Sequence, residues 1–250
     1  MALAAACDGD DLRLATRQAR AIAREAAALG VNTVFGPVLD PVPPACASDS
    51  GTRSFSGNRR QLAAYADAYI RGLQAGGVCA VAKHFPGAHA AVDAHLDLAT
   101  VNLDLRQLRR RSLVPFVAAI GAGVAGVMVQ HNAYPQVTGD RLPATMSPAI
   151  YDLLRRRLGF EGFIITDNMS MGAVARHFAP EEALPARGAA VSAFSAMPSS
   201  QVALARAILG SPRGRAGRPT QPATCRDAPE RRKAEAGMPA ARRKARAKVM

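Results

Sequence analysis

Lysine is almost missing from this chain: Lys83 stands alone among the first 232 residues, in a sequence that otherwise uses arginine for positive charge. A solitary point-charge donor that closes the apolar run Val78 to Ala82 is marked as a chemical group rather than one more solvated charge. Cysteine is sparse and scattered. Cys7, Cys46, Cys79 and Cys225 form no CxxC pair, which excludes a zinc finger and a disulfide framework. Reduced thiols are the expectation, with Cys79 a small hydrophobe inside its apolar run. No apolar stretch approaches the ~18 residues of a membrane span, so no membrane partner is expected. Met1 to Cys7 lacks the basic start and the length of a signal peptide. A cytoplasmic location follows as the expectation, with a secreted full-length parent left open. His84, His89, Asp93, His95 and His131 contain no HxH or HExxH spacing, so neither a metal nor another cofactor is expected.

What is present is a globular composition with an uneven charge. The 250 residues are 49% hydrophobic, enough for one large α/β domain or two small ones. The formal net charge of +13 suggests an anionic partner only until it is placed along the chain. Residues 1–186 carry 18 basic and 16 acidic groups, whereas residues 187–250 carry 14 and 3. The basicity belongs to a tail rich in Arg, Ala, Gly and Pro, without interleaved aromatics, so nucleic acid is not expected as a partner. The chain divides accordingly into a folded unit, 1–185, and a low-complexity tail, 186–250, in which no strand can be drawn. The tail is expected to be disordered or an out-of-frame translation.

Four apolar runs recur at intervals suited to alternating strands and helices: Val31 to Leu39, Val78 to Ala82, Ala125 to Val129 and Phe163 to Thr166. Each ends at a chemically active group, namely Asp40, Lys83-His84, Gln130-His131 and Asp167. Helical patterns separate them. One is capped by Asp10 or Asp11 and runs through Ala28; a second runs from Asn58 through Gln74; a third runs from Asp104 through Ile120 with Pro115 as its break. A fourth opens at Ser147-Pro148 and runs to Leu158. Short continuous apolar runs are what buried parallel strands look like. Functional groups at successive strand ends match a (β/α)8 barrel of the TIM type, whose βα loops converge on one mouth. The competing architecture is an open doubly wound sheet, which would carry its site at a single switch point.

Several motifs in order carry a resemblance. Val34-Phe35-Gly36-Pro37-Val38-Leu39-Asp40, Arg53-Ser54-Phe55, Lys83-His84-Phe85-Pro86-Gly87 and Asp93-Ala94-His95 come first. Pro143-Ala144-Thr145-Met146-Ser147, Leu158-Gly159-Phe160-Glu161-Gly162-Phe163 and Thr166-Asp167 follow. Together, from about Asp11 to Leu184, they resemble the N-terminal barrel domain of glycoside hydrolase family 3, and within it the β-N-acetylglucosaminidase (β-hexosaminidase) subgroup. The resemblance implies a retaining exo-glycosidase that removes terminal β-linked N-acetylglucosamine (N-acetylhexosamine) in peptidoglycan turnover. Its partner is then a small saccharide or muropeptide, and the chain is expected to be a monomer. By resemblance Asp167 is the nucleophile that forms a glycosyl-aspartate, His95 the acid/base and Asp93 the group that orients it. An imidazole titrating near ~6.5 suits that exchange. By the same resemblance Lys83, His84, Arg53 and Asp40 bind hydroxyls, and Met128 and His131 line the pocket.

Alternatives stand beside these assignments. Asp167 competes with a helix-capping role before Met169 to Val174, His95 with an ordinary surface imidazole, and His131 with a core histidine. The loop Gly87 to His95 lacks the family's usual Gly-His-Gly and is one residue shorter, and Asn168 stands where the family more often has Asp. The alternative substrates are β-glucosides or β-xylosides, and phosphorolysis competes with hydrolysis. Four strands with room for one more fall short of a closed barrel, so the opening and closing strands are expected to be missing, and an inactive truncated remnant is the remaining alternative.

Overall fold

The computed structural model describes residues 12–41, 53–87, 93–179, 181–183 and the backbone of 190–191. Among these, five parallel strands form one sheet: β1 (Thr33–Val34), β2 (Cys79–Phe85), β3 (Gly126–Val129), β4 (Phe163–Thr166) and β5 (Ala190–Val191). Each strand pairs with the next in the chain, without reversal. This order is that of a singly wound TIM-type barrel wall; a doubly wound sheet would reverse at a switch point.

Helices cover one side. α1 (Leu12–Ala28) and α2 (Arg59–Ala75) pack through small residues, with Ala19 and Ala23 facing Gly72 and Gly76 so closely that an added Cβ would stand 2.9 and 2.4 Å from those methyls. Asn58 caps α2 by accepting N–H bonds from Arg60 and Gln61. Asp104 begins α3 (Leu105–Arg111) with a reciprocal capping box to Gln107. α3 is followed by α4 (Leu113–Gly121). The expected break at Pro115 lies three residues earlier, at Ser112, and Pro115 sits in the first turn of α4 where a missing N–H costs nothing. α5 (Pro135–Thr138) and a 3-10 turn (Ala144–Met146) precede α6 (Pro148–Asp152), which widens into a π turn over Leu153–Arg157. Ser147 occupies the N-cap of α6 but makes no cap bond; its buried hydroxyl has no partner among the described residues. α7 (Gly172–Ala175) follows β4.

Two expectations are corrected and one alternative is set aside. β5 pairs at Ile164↔Ala190 and Ile165↔Val191, inside the stretch where composition showed no strand. A two-residue Ala-Val strand is too short to leave a pattern, and its pairing carries the sheet past residue 185. Cys79 is disulfide-bonded, so it is not a free thiol; four scattered cysteines without a CxxC pair carry no spacing signal of it. Asp167 does not cap a helix either. Its Oδ1 accepts the N–H of Asn168, and α7 starts five residues later behind Met171. The helix-capping candidates Asp10 and Asp11, His89, and the tail from 192 onward lie outside the described residues.

Candidate active site

Alternation along a strand sends every second side chain to the same face. Ala80, Ala82, Val127, Val129 and Ile164 join the large core beneath the helices. Val81, Met128 and Ile165, on the opposite face, pack as a separate apolar cluster. Two residues further along the same three strands come Lys83, Gln130 and Asp167, so a polar layer stands directly above an apolar floor at the carboxyl ends. The ladder continues through it: Gln130 donates its N–H to Phe85 O and Asp167 to Val129 O, each at 2.9 Å.

Asp167 is 24% exposed and lies 3.9 Å from His84 Nε2. The other ring nitrogen, His84 Nδ1, donates to the buried Asp40 carboxylate at 2.6 Å, and the His84 backbone N–H reaches the second oxygen of Asp40 at 3.4 Å. A carboxylate only accepts, so this contact places the proton on Nδ1. Asp40 arrives beside β2 because Lys83 donates its N–H to Pro37 O, and the buried Ser54 hydroxyl accompanies it by donating to Asp40 O at 2.6 Å. Burial pushes the Lys83 ammonium below its ordinary value; Asp167 opposes this, the Arg53 guanidinium adds to it and Asp40 opposes it.

Asp93 and His95 form a second unit. One oxygen of Asp93 accepts both the backbone N–H of His95 at 2.9 Å and its ring Nδ1 at 2.7 Å. Partial burial pushes the Asp93 carboxyl up, but the two bonds from His95, the His95 charge and the Arg53 charge outweigh it and hold it below the usual value. The imidazole, 58% exposed, therefore has one nitrogen tied to Asp93 and the other without a hydrogen-bond partner among the described residues.

His131 is fully buried. Its Nε2 faces the Asn168 carbonyl at 3.0 Å, which can only accept, so Nε2 carries the hydrogen and Nδ1 accepts from the Thr145 hydroxyl at 2.9 Å. Burial lowers its proton affinity, Asp167 and the Asn168 carbonyl oppose this, and His95 and His84 reinforce it. Electrostatics thus link groups from four strand ends: Asp167 is felt at Lys83 and His131, Arg53 at Lys83 and Asp93, and His95 at His131.

The model described as "Glycosyl hydrolase family 3 N terminal domain" matches residues 1–208. The chain belongs to glycosyl hydrolase family 3. A protein named beta-hexosaminidase from Stenotrophomonas maltophilia (strain R551-3) is 42% identical over 165 residues, 65% of this chain and 48% of that protein. The chain thus spans about half the length of the curated relatives it matches. Among solved structures, a glycoside hydrolase family 3 beta-N-acetylglucosaminidase from Paenibacillus sp. str. FPU-7 superposes with a TM-score of 0.66 at 36% identity, over 73% of this chain and 36% of that one. Native NagZ from Neisseria gonorrhoeae gives 0.61 at 35% identity, over 67% and 49%.

In this family 3 chain the structure brings Asp40, Lys83, His84 and Asp167 together, and ties Asp93 to His95. Met128 lies in the apolar floor and His131 is sealed behind the end of β4. Gln130 was marked from sequence only as the end of its apolar run, beside His131, and was given no role. Its amide donates to His84 O at 3.3 Å and to the Tyr134 hydroxyl at 2.6 Å, and accepts from Asn132 at 2.7 Å. Among the described residues no helix is long and apolar enough to cross a membrane.

Proposed function

We propose that this chain is a retaining glycosidase that releases terminal β-linked N-acetylglucosamine from small saccharides or muropeptides in peptidoglycan turnover. The observation that carries the reading is the position of Asp167. Its carboxylate stands in the polar layer 3.9 Å from His84 and within reach of the Lys83 charge, and the chain just beyond it holds the backbone of His95. The names of the beta-hexosaminidase relatives support the sugar.

Asp167 attacks the anomeric carbon while the glycosidic oxygen leaves with a proton from His95. Water, deprotonated by the same ring, then attacks that carbon and frees Asp167. Asp93 holds the His95 ring in one tautomer. His84, oriented by Asp40, grips hydroxyls together with Lys83 and Arg53. Met128 forms the floor, and His131 acts from below by holding the carbonyl of Asn168 next to the nucleophile. The folded unit is the part in which this chemistry resides; it includes β5 and leaves the basic tail outside. We propose that the chain acts as a monomer. A cytoplasmic location requires the Cys79 disulfide to be reduced, since such bonds persist in oxidising compartments; alkylation of free thiols before lysis decides it.

The test is hydrolysis of a chromogenic N-acetylglucosaminide beside the matching glucoside and xyloside, with and without phosphate. Asp167→Asn lowers kcat by roughly 10⁴-fold or more, and His95→Ala by about 10²–10⁴-fold. No turnover of the N-acetyl sugar, or full activity in Asp167→Asn, overturns the reading.

A further inference from the structure

The segment that carries His95 is fastened to the chain beyond Asp167 in three ways. Gly172 donates its N–H to His95 O at 3.0 Å and Ala173 to Ala94 O at 3.1 Å. Ala94, Met171 and Ala173 pack together with Leu98. Across 80 residues of sequence, His177 Nε2 lies 2.5 Å from Asp97 Oδ1, which also accepts the Leu98 N–H at 2.7 Å. The two backbones touch: a Cβ on Gly172 would stand 2.3 Å from Leu96 O and 2.8 Å from His95 O. The Asp97–His177 pair belongs to neither the Asp93–His95 unit nor the polar layer.

We propose that Asp97 and His177 form a latch that positions His95 relative to Asp167. The inference rests on the glycosidase reading above. Both side chains are about half exposed, 50% and 41%, and exposed pairs contribute little to global stability. Their effect is therefore local. Asp97 is two residues from the acid/base ring, and His177 is ten residues from the nucleophile on the segment that begins at β4. A shift of about 1 Å in a reacting group suffices to cost ~10²-fold in rate. Asp97 and His177 do not touch the sugar; they are positioning residues.

The experiment uses the full chain and the variants Asp97→Ala, His177→Ala and the double variant. It measures kcat/KM on two N-acetylglucosaminides, one with an alkyl aglycone and one with 2,4-dinitrophenolate. The alkyl leaving group needs a proton and dinitrophenolate does not, and kcat/KM reports only the steps through its departure. A displaced His95 lowers kcat/KM for the alkyl glycoside by roughly 10- to 100-fold and leaves the dinitrophenyl glycoside near wild type, with the double variant matching either single one. Equal losses on both substrates, or no loss, overturn the latch. Amide exchange of residues 93–98, compared between wild type and His177→Ala, reads the same contact without turnover: faster exchange supports the latch and unchanged exchange removes it. Failure of the wild type or a fully active Asp167→Asn overturns the glycosidase reading and the catalytic role of the latch with it. A normal response at Asp167 and His95 with none at His177 overturns the latch alone.

Discussion

Replacing His131 tests how the end of β4 is built, because a buried imidazole couples stability to pH. The ring is fully buried, and burial outweighs the opposing influence of Asp167 and the Asn168 carbonyl, so its pKa falls below the ordinary 6.5. His95 and His84 push it the same way. In the unfolded chain the ring titrates near ~6.5. As pH drops through that value, the unfolded state takes up a proton that the folded ring refuses, so stability is complete above about pH 7 and declines below it. The slope has a ceiling of about 1.4 kcal/mol per pH unit, reached while the unfolded ring is protonated and the folded one is not. His131→Gln removes this titration. It also takes the ring away from the Asn168 carbonyl and the Thr145 hydroxyl, which costs roughly 1–3 kcal/mol at pH 7.5. Urea denaturation of both proteins at pH 7.5 and 5.5 gives a double difference in which the titrating groups not coupled to His131 cancel. Wild type is expected to lose up to about 1.4 kcal/mol more than the variant. Parallel pH dependences would mean that the folded ring accepts a proton freely, and would refute the neutral, doubly bonded His131.

Other predictions concern the scaffold. Gly162→Ala places a Cβ 2.3 Å from the Ala125 carbonyl oxygen, a backbone atom that cannot turn aside, and is expected to destabilise by about 1–3 kcal/mol in thermal or urea melts. Gly121→Ala, in α4 with nothing within 4 Å, is expected to stabilise by about 0.4–1 kcal/mol, and a loss there would contradict the open space around it. Asp104→Ala removes the capping box of α3 and is expected to cost about 1 kcal/mol, with the change in urea midpoint as the readout.

Local chemistry explains what could be read early. The caps at Asn58 and Asp104 depend on residues within three positions of one another, and both helices begin there. β2, β3 and β4 fall on the apolar runs that end at Lys83, Gln130 and Asp167. β1 is shorter than its run because Pro37 has no N–H to give; past Val34 the chain still bonds to β2 through the Gly36 and Pro37 carbonyls. Composition located the basic tail but not β5, since two residues are too few to show alternation.

The parallel strand-and-helix order, the helix starts and the family are legible in the linear chain, because periodicity, caps and ordered motifs are written within short windows. Folding alone reveals that Gln130 hydrogen-bonds to the backbone of His84, that His131 is buried against the Asn168 carbonyl, that Cys79 is bonded and that Asp97 meets His177. Those contacts join strand ends and loops from different windows. The physical reason is that register and pleat, not nearness along the chain, choose which side chains share a face.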